Sequence, residues 1–180
     1  MSDSHLWKCF LSCATFIGDK EIPMEMLVKI WDVEGLLDGA ETPYLMDTGW
    51  NYIKVMVSRF LLESMEYIVN GDYHTMEYLK IHEALCEMVI YIGNQDHEKC
   101  LFLVGQTLKN FPGEGDMRDC KHISVGQTAI KDLPNDLKCS KLESLVLASN
   151  NQLEKIPERF FSDIKSLKVL DLSCTSMGTL

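Results

Sequence analysis

Five histidines and seven cysteines hold most of the reactive potential of this 180-residue chain. His5, Cys9 and Cys13 stand four apart, a spacing that lines one face of a helix, and imidazole and thiolate are metal-ligand types. No fourth donor sits nearby, and cysteines set among Leu6, Phe10 and Phe16 read as core, so no metal is expected. His82 and Cys86 are also four apart, the arrangement of a base beside a thiol, yet no third residue stands by to orient the ring. Packing is the expected role of that pair. No G-x-S-x-G occurs, so no catalytic residue is expected and the chain reads as a non-enzyme. Phosphate chemistry lacks its usual tools: there is no G-x-x-x-x-G-K-[ST], and no apolar strand ends in paired aspartates. Without that loop there is no nest of backbone N–H groups, and no lysine or hydroxyl for a metal. This chain by itself is expected neither to hydrolyse ATP nor to bind ADP tightly.

The elements that would position these residues follow from periodicity. Residues 4–16 place Leu6, Cys9, Phe10, Cys13 and Phe16 at helical spacing, with Ser4 or Asp3 as a cap and Gly18 as a breaker. Pro23 opens a second helix, with Met26, Leu27, Ile30, Trp31 and Val33 or Glu34 on one side and Gly35 at its end. A third helix is expected from about Thr42 to Glu63, with Tyr44, Ile53, Met56, Val57, Phe60 and Leu61 on its apolar face. Met65–Val69 and Tyr73–Ile81 flank Asn70-Gly71-Asp72, a hairpin signal. His82 then opens a helix that buries Leu85, Val89 and Ile92 and ends at Gly93. Three helices, a hairpin and a helix describe a winged-helix-like module. Winged helices often read DNA, but with 17 Lys and Arg against 27 Asp and Glu this one offers no cationic recognition face.

The second half is periodic on a longer scale. Leu142, Leu145 and Leu147 precede Asn150, and Leu167, Leu170 and Leu172 precede Thr175, with equal offsets. Ile123, Val125 and Thr128 form a weaker copy, so the steps are 22 and 25 residues, inside the leucine-rich-repeat range. Each copy reads as a short strand with inward leucines, then a turn in which Asn150 hydrogen-bonds backbone, then an irregular return. The expected class is α+β: a helical winged-helix-like domain at 1–95, a linker at 96–118, and a short leucine-rich-repeat solenoid at 119–180. The last strand would show uncovered leucines, as if the array continued.

Composition limits the setting. An apolar fraction of 46% supports a core, and a net charge of −10 disfavours nucleic acid. Seven cysteines, an odd number without a C-x-x-C, read as reduced thiols of the cytosol or nucleus. Leu6–Phe16 is apolar, but Asp3 precedes it and Lys8 interrupts it, unlike a signal core. No run approaches the roughly 18 apolar residues of a membrane span.

The order of these motifs resembles a known family, the plant nucleotide-binding leucine-rich-repeat (NB-ARC) disease resistance proteins of the coiled-coil type. LWKCFLSCATFIGDKEIPMEMLVKIWDVEGLLDG is similar to the opening of that family's winged-helix subdomain, through Cys9, Phe10, Leu11, Cys13, Trp31, Glu34 and Gly35. Ile17 and Gly18 depart from it, since Pro and Glu are usual there. Ile81-His82-Glu83 stands in place of a Met-His-Asp motif. FLVGQTLKNFP resembles the bridge into the repeats, and HISVGQTAIKDLP and VLDLSCTSMGTL resemble the first repeats. The resemblance implies that His82 contacts the terminal phosphate of ADP and that Glu83 supplies the adjacent carboxylate, one methylene longer than Asp. It implies an ADP/ATP switch in which the upstream nucleotide-binding subdomains of the same receptor are the partners. The repeats would engage an effector or a guarded host protein. A fragment or truncated gene model of such an intracellular immune receptor is therefore expected. The alternative is a stand-alone interaction adaptor without nucleotide.

Overall fold

Trp31 shows how the first half of the chain is assembled. Its ring is wholly buried, and its indole N–H donates to the Cys9 carbonyl at 3.1 Å and to Ser12 Oγ at 2.7 Å. A buried indole N–H needs such acceptors, and the end of the first helix supplies both. The computed structural model describes residues 3–17, 21–37, 42–68, 75–95, 100–105, 108–112 and 117–178. Two compact units divide the chain: Met1–Cys13 with Lys20–Val89, and Ala14–Asp19 with Ile90–Leu180.

In the first unit α1 (Asp3–Ser12) gives way to a 3-10 turn at Cys13–Phe16, so the α-helix is shorter than the apolar spacing suggested. The chain then enters a two-residue strand, β1 (Ile22–Pro23), which periodicity could not reveal. It pairs antiparallel with Leu79 and Tyr78 of β3 (Thr75–Ile81) at the sheet edge, where proline is tolerated. Pro23 is the residue before α2 (Met24–Val33), one position earlier than expected. That helix ends as its sequence suggests. Gly35 takes φ +67°, its N–H meets Asp32 O at 2.9 Å, and Leu36 N–H meets Trp31 O at 2.7 Å, a Schellman closure.

α3 (Leu45–Ser58) crosses α2 with Gly49 facing Val28. A Cβ on Gly49 would lie 2.4 Å from Val28 Cγ2, so glycine is kept there for close approach despite its low helix propensity. The expected extension of this helix to Glu63 is corrected. Phe60 N–H bonds Val57 O at 3.0 Å and Leu61 N–H bonds Met56 O at 3.0 Å, the same closure that ends α2. Here the left-handed residue is Phe60, at φ +58°, and its ring is 84% exposed. A left-handed L-residue costs about 1–2 kcal/mol, while glycine's extra freedom in the unfolded chain costs about 0.4–1 kcal/mol. Phe60→Gly should therefore raise stability by up to about 1 kcal/mol, read as a higher urea midpoint with unchanged slope.

Leu62 and Glu63 belong instead to β2 (Leu62–Ile68), which pairs antiparallel with β3 from Leu62↔Ile81 to Ile68↔Thr75. The sheet order is β1-β3-β2. The hairpin is present as expected, and its Asn70-Gly71-Asp72 turn lies outside the described residues. Leu62, Leu79 and Ile81 are buried, as are Leu6, Phe10, Leu27, Ile30, Trp31, Ile53 and Met56 from the helices. α4 (Glu83–Gln95) follows and runs through Gly93, which does not terminate it.

In the second unit four parallel strands stack in chain order: β4 (Cys100–Val104), β5 (His122–Gly126), β6 (Ser144–Val146) and β7 (Val169–Asp171). Ile123 pairs with Leu145 and Leu145 with Leu170, the register that the repeat steps require. β4 was not foreseen: Leu101 pairs with Ile123 and Leu103 with Val125, a further copy 22 residues upstream. Its free edge is closed locally. Asn94 accepts from Phe102 N–H at 2.9 Å and donates to Phe102 O at 3.1 Å, standing in for a neighbouring strand. Gly93 lets the Phe102 ring approach, since a Cβ there would lie 2.5 Å from Phe102 Cε2. That contact is why the sequence has glycine inside this helix. On β5, Ser124 Oγ donates to the Thr15 carbonyl at 2.7 Å.

Ile123, Val125, Leu142, Leu145, Leu147, Leu153 and Phe160 fill the interior, whereas Leu170 on β7 is 41% exposed. Ion pairs link successive turns: Lys141 with Asp119 at 2.6 Å, Lys138 with Asp163 at 2.7 Å, and Glu143 with Lys168 at 2.7 Å and Lys121 at 3.7 Å. The Lys168 hydrogen bond holds the Glu143 carboxyl below its ordinary value. A lowered carboxyl pKa contributes stability above the unfolded-state value, and loses it as pH falls through the folded-state value. Lys168→Met should cost at most about 1 kcal/mol at neutral pH and nothing in acid below the carboxylate range. Urea midpoints at the two pH values check the sign.

Candidate functional site

His82 sits where β3 hands over to α4. Alternation along β3 buries Leu79 and Ile81, so the next residue emerges from the sheet, and both His82 and the following Glu83 are exposed. His82 Nδ1 accepts the Ala84 N–H at 3.2 Å, capping an otherwise orphan donor of the first turn. The His82 carbonyl accepts from Leu85 N–H at 2.8 Å. An accepting Nδ1 leaves the ring proton on Nε2, the free end of the ring. Nε2 lies 3.8 Å from Glu63 Oε1, and the two side chains are 52% and 50% exposed. Glu63 itself stands opposite Lys80 in the hairpin register.

What this arrangement offers is one N–H donor on a half-exposed ring, at the positive end of a 13-residue helix. A single phosphate oxygen fits such a donor. Glu83, in the first turn, complements the helix dipole on its own account. Glu63 was not singled out by sequence, because its proximity to His82 depends on the β2–β3 register.

The other reactive side chains that the spacing singled out, His5, Cys9, Cys13 and Cys86, lie against backbone carbonyls. His5 Nε2 bonds the Leu36 carbonyl, Cys9 Sγ lies 4.0 Å from the same oxygen, and Cys13 Sγ donates to Cys9 O at 3.4 Å. Burial, then the neighbouring Cys9, pushes the Cys13 thiol well above its ordinary value. Cys86 Sγ donates to the His82 carbonyl at 3.7 Å, and its thiol is raised, first by burial and then by Glu83. A raised pKa disfavours the thiolate that a nucleophile requires. Among the described residues, no three His, Cys, Asp or Glu side chains group as a metal site.

The repeat signature residue is fully used. Asn150 is buried: its Oδ1 accepts from Thr128 N–H at 3.0 Å and Thr128 Oγ1 at 2.5 Å, and its Nδ2 donates to Val125 O at 2.6 Å and Leu147 O at 2.8 Å. Thr175, its counterpart one turn on, donates to Leu172 O at 2.8 Å.

Residues 16–89 match the family model "Disease resistance protein Winged helix domain", and residues 140–180 match "Leucine rich repeat". The "Probable disease resistance protein At1g12290" of Arabidopsis thaliana is 30% identical over 92% of this chain and 19% of its own length. The chain carries the winged-helix and leucine-rich-repeat region of the disease resistance protein family. Another Arabidopsis thaliana relative, "Disease resistance protein SUMM2", is 30% identical over 93% of the chain and 18% of its own length. "Probable disease resistance protein At5g47260", also from Arabidopsis thaliana, is 32% identical over 96% of the chain and 17% of its own length. The chain thus spans about a fifth of the length of the curated relatives it matches. His82 falls within the winged-helix match, and Asn150 within the repeat match. No helix of the described residues is long and apolar enough to cross a membrane.

Proposed function

We propose that this chain acts within an intracellular plant immune receptor of the coiled-coil type, in the cytoplasm. It would supply the regulatory winged helix of an ADP/ATP switch and the start of a protein-binding solenoid. The observation that carries the reading is the co-linear match of both regions, in one order, to disease resistance proteins over more than nine-tenths of the chain. In this reading residues 1–95 form the winged-helix subdomain, 96–118 the bridge, and 119–180 the first repeats. His82 holds the terminal phosphate of ADP through Nε2–H, and the upstream nucleotide-binding subdomains supply the remaining contacts. Bound ADP contributes the charge that keeps the subdomains together, and its exchange shifts the population toward an open state. The repeats engage an effector or a guarded host protein. Repeat arrays suit that task, because each stacked turn adds to one continuous surface.

Sequencing the transcript upstream of Met1 tests the switch against the adaptor. A frame that continues into a glycine-rich loop ending in Lys-Ser or Lys-Thr supports the switch. Stop codons immediately above Met1 overturn it in favour of an interaction adaptor without nucleotide.

A further inference from the structure

His82 has two ring nitrogens, and only one can meet a ligand. Nδ1 is committed as acceptor to the Ala84 N–H at 3.2 Å, which leaves Nε2 as the donor. That one donor already has an acceptor group beside it, the Glu63 carboxylate, 3.8 Å away on the neighbouring strand. The β2–β3 register fixes this neighbourhood, pairing Leu62 with Ile81 and Glu63 with Lys80 immediately before His82. An incoming phosphate must share or take the Nε2–H, and its negative charge is repelled by Glu63 at short range.

We infer that Glu63 is a built-in competitor for the phosphate at His82, a positioning residue that weakens anion binding and so sets how readily nucleotide leaves. This rests on the phosphate role of His82 proposed above. Lys80 and Glu83 are the other charged residues bordering the site in sequence and register. The device is electrostatic: the carboxylate stands 3.8 Å from the donor nitrogen and opposes phosphate when it arrives.

The test uses the 15N-labelled chain, with pyrophosphate as probe at constant ionic strength. Two-bond 1H–15N correlations read the His82 tautomer, and backbone amides of Glu83–Leu85 read binding. The wild type should show the Nε2–H tautomer. Glu63→Gln should tighten pyrophosphate binding about 3- to 10-fold with the tautomer retained, and His82→Ala should abolish the response. Unchanged or weaker binding in Glu63→Gln overturns the competitor role, while a response lost only in His82→Ala keeps the phosphate reading. A His82→Ala response equal to wild type overturns both. A purely structural Glu63 would loosen the ring and weaken binding, the opposite sign.

Discussion

Replacing Asn150 by Ala should lower the stability of the repeat unit by about 3–5 kcal/mol. The side chain is 1% exposed and completes four hydrogen bonds, two of them to Thr128 and one each to Val125 O and Leu147 O. Three of the partners are backbone groups in buried residues, and each loses its only described side-chain partner when the amide is removed. An orphaned buried polar group costs about 1–3 kcal/mol, against about 1 kcal/mol for an ordinary hydrogen bond, so the sum is dominated by the groups left behind. Asn150→Asp keeps the acceptor but removes both donors and buries a charge, so it should be no milder. Because Thr128 and Val125 belong to the preceding turn, the loss uncouples two turns as well as weakening one. Amide exchange should therefore accelerate along β5 and β6 together. Acceleration confined to residues 147–153 would contradict a role between turns.

Trp31→Ala comes next, at about 3–5 kcal/mol, the range for removing a large buried aromatic. Two effects add here: a cavity beside Tyr52 and the end of α1, and the loss of the only described side-chain N–H directed at the Cys9 carbonyl. Trp31→Phe separates them. It retains most of the ring volume and removes the donor, so a loss of about 1–2 kcal/mol is expected. Ser12 Oγ still donates to Cys9 O at 2.9 Å, which keeps that carbonyl from being wholly orphaned. Urea unfolding of the two variants, followed by far-ultraviolet circular dichroism, gives the two losses. Equal losses would mean that the hydrogen bond, and not the packing, dominates.

The family resemblance was legible because it rests on side-chain types at fixed offsets. Trp31, Gly35 and the Ile81-His82-Glu83 run survive as a linear record whatever the chain does in space. Repeat steps of 22 and 25 residues translated directly into strand register, since inward leucines must stack on inward leucines. β4 escaped because Leu101 and Leu103 lack both the leucine that opens the two clean copies and a closing Asn or Thr, although the 22-residue step to Ile123 was there to be counted. β1 escaped because two residues carry no period.

Helix ends divide the two kinds of information most clearly. Gly35 announces a left-handed closure, since glycine meets no Cβ penalty there. Phe60 makes the same closure unannounced, and Gln127, Ser149 and Cys174 take the same left-handed region, at φ +51°, +59° and +54°, in matching turns after β5, β6 and β7. Their conformations are imposed by the turns they close, because the hydrogen bonds and leucine stacking gained by each turn exceed a local cost of about 1–2 kcal/mol. By itself the sequence determined the class of elements, the repeat step and the family. Tertiary structure alone decided which nitrogen of His82 faces outward, that Glu63 stands beside it, and that Asn94 closes the edge of β4. Those facts depend on register and on donors meeting acceptors across the chain, and neither is encoded in the residues taken singly.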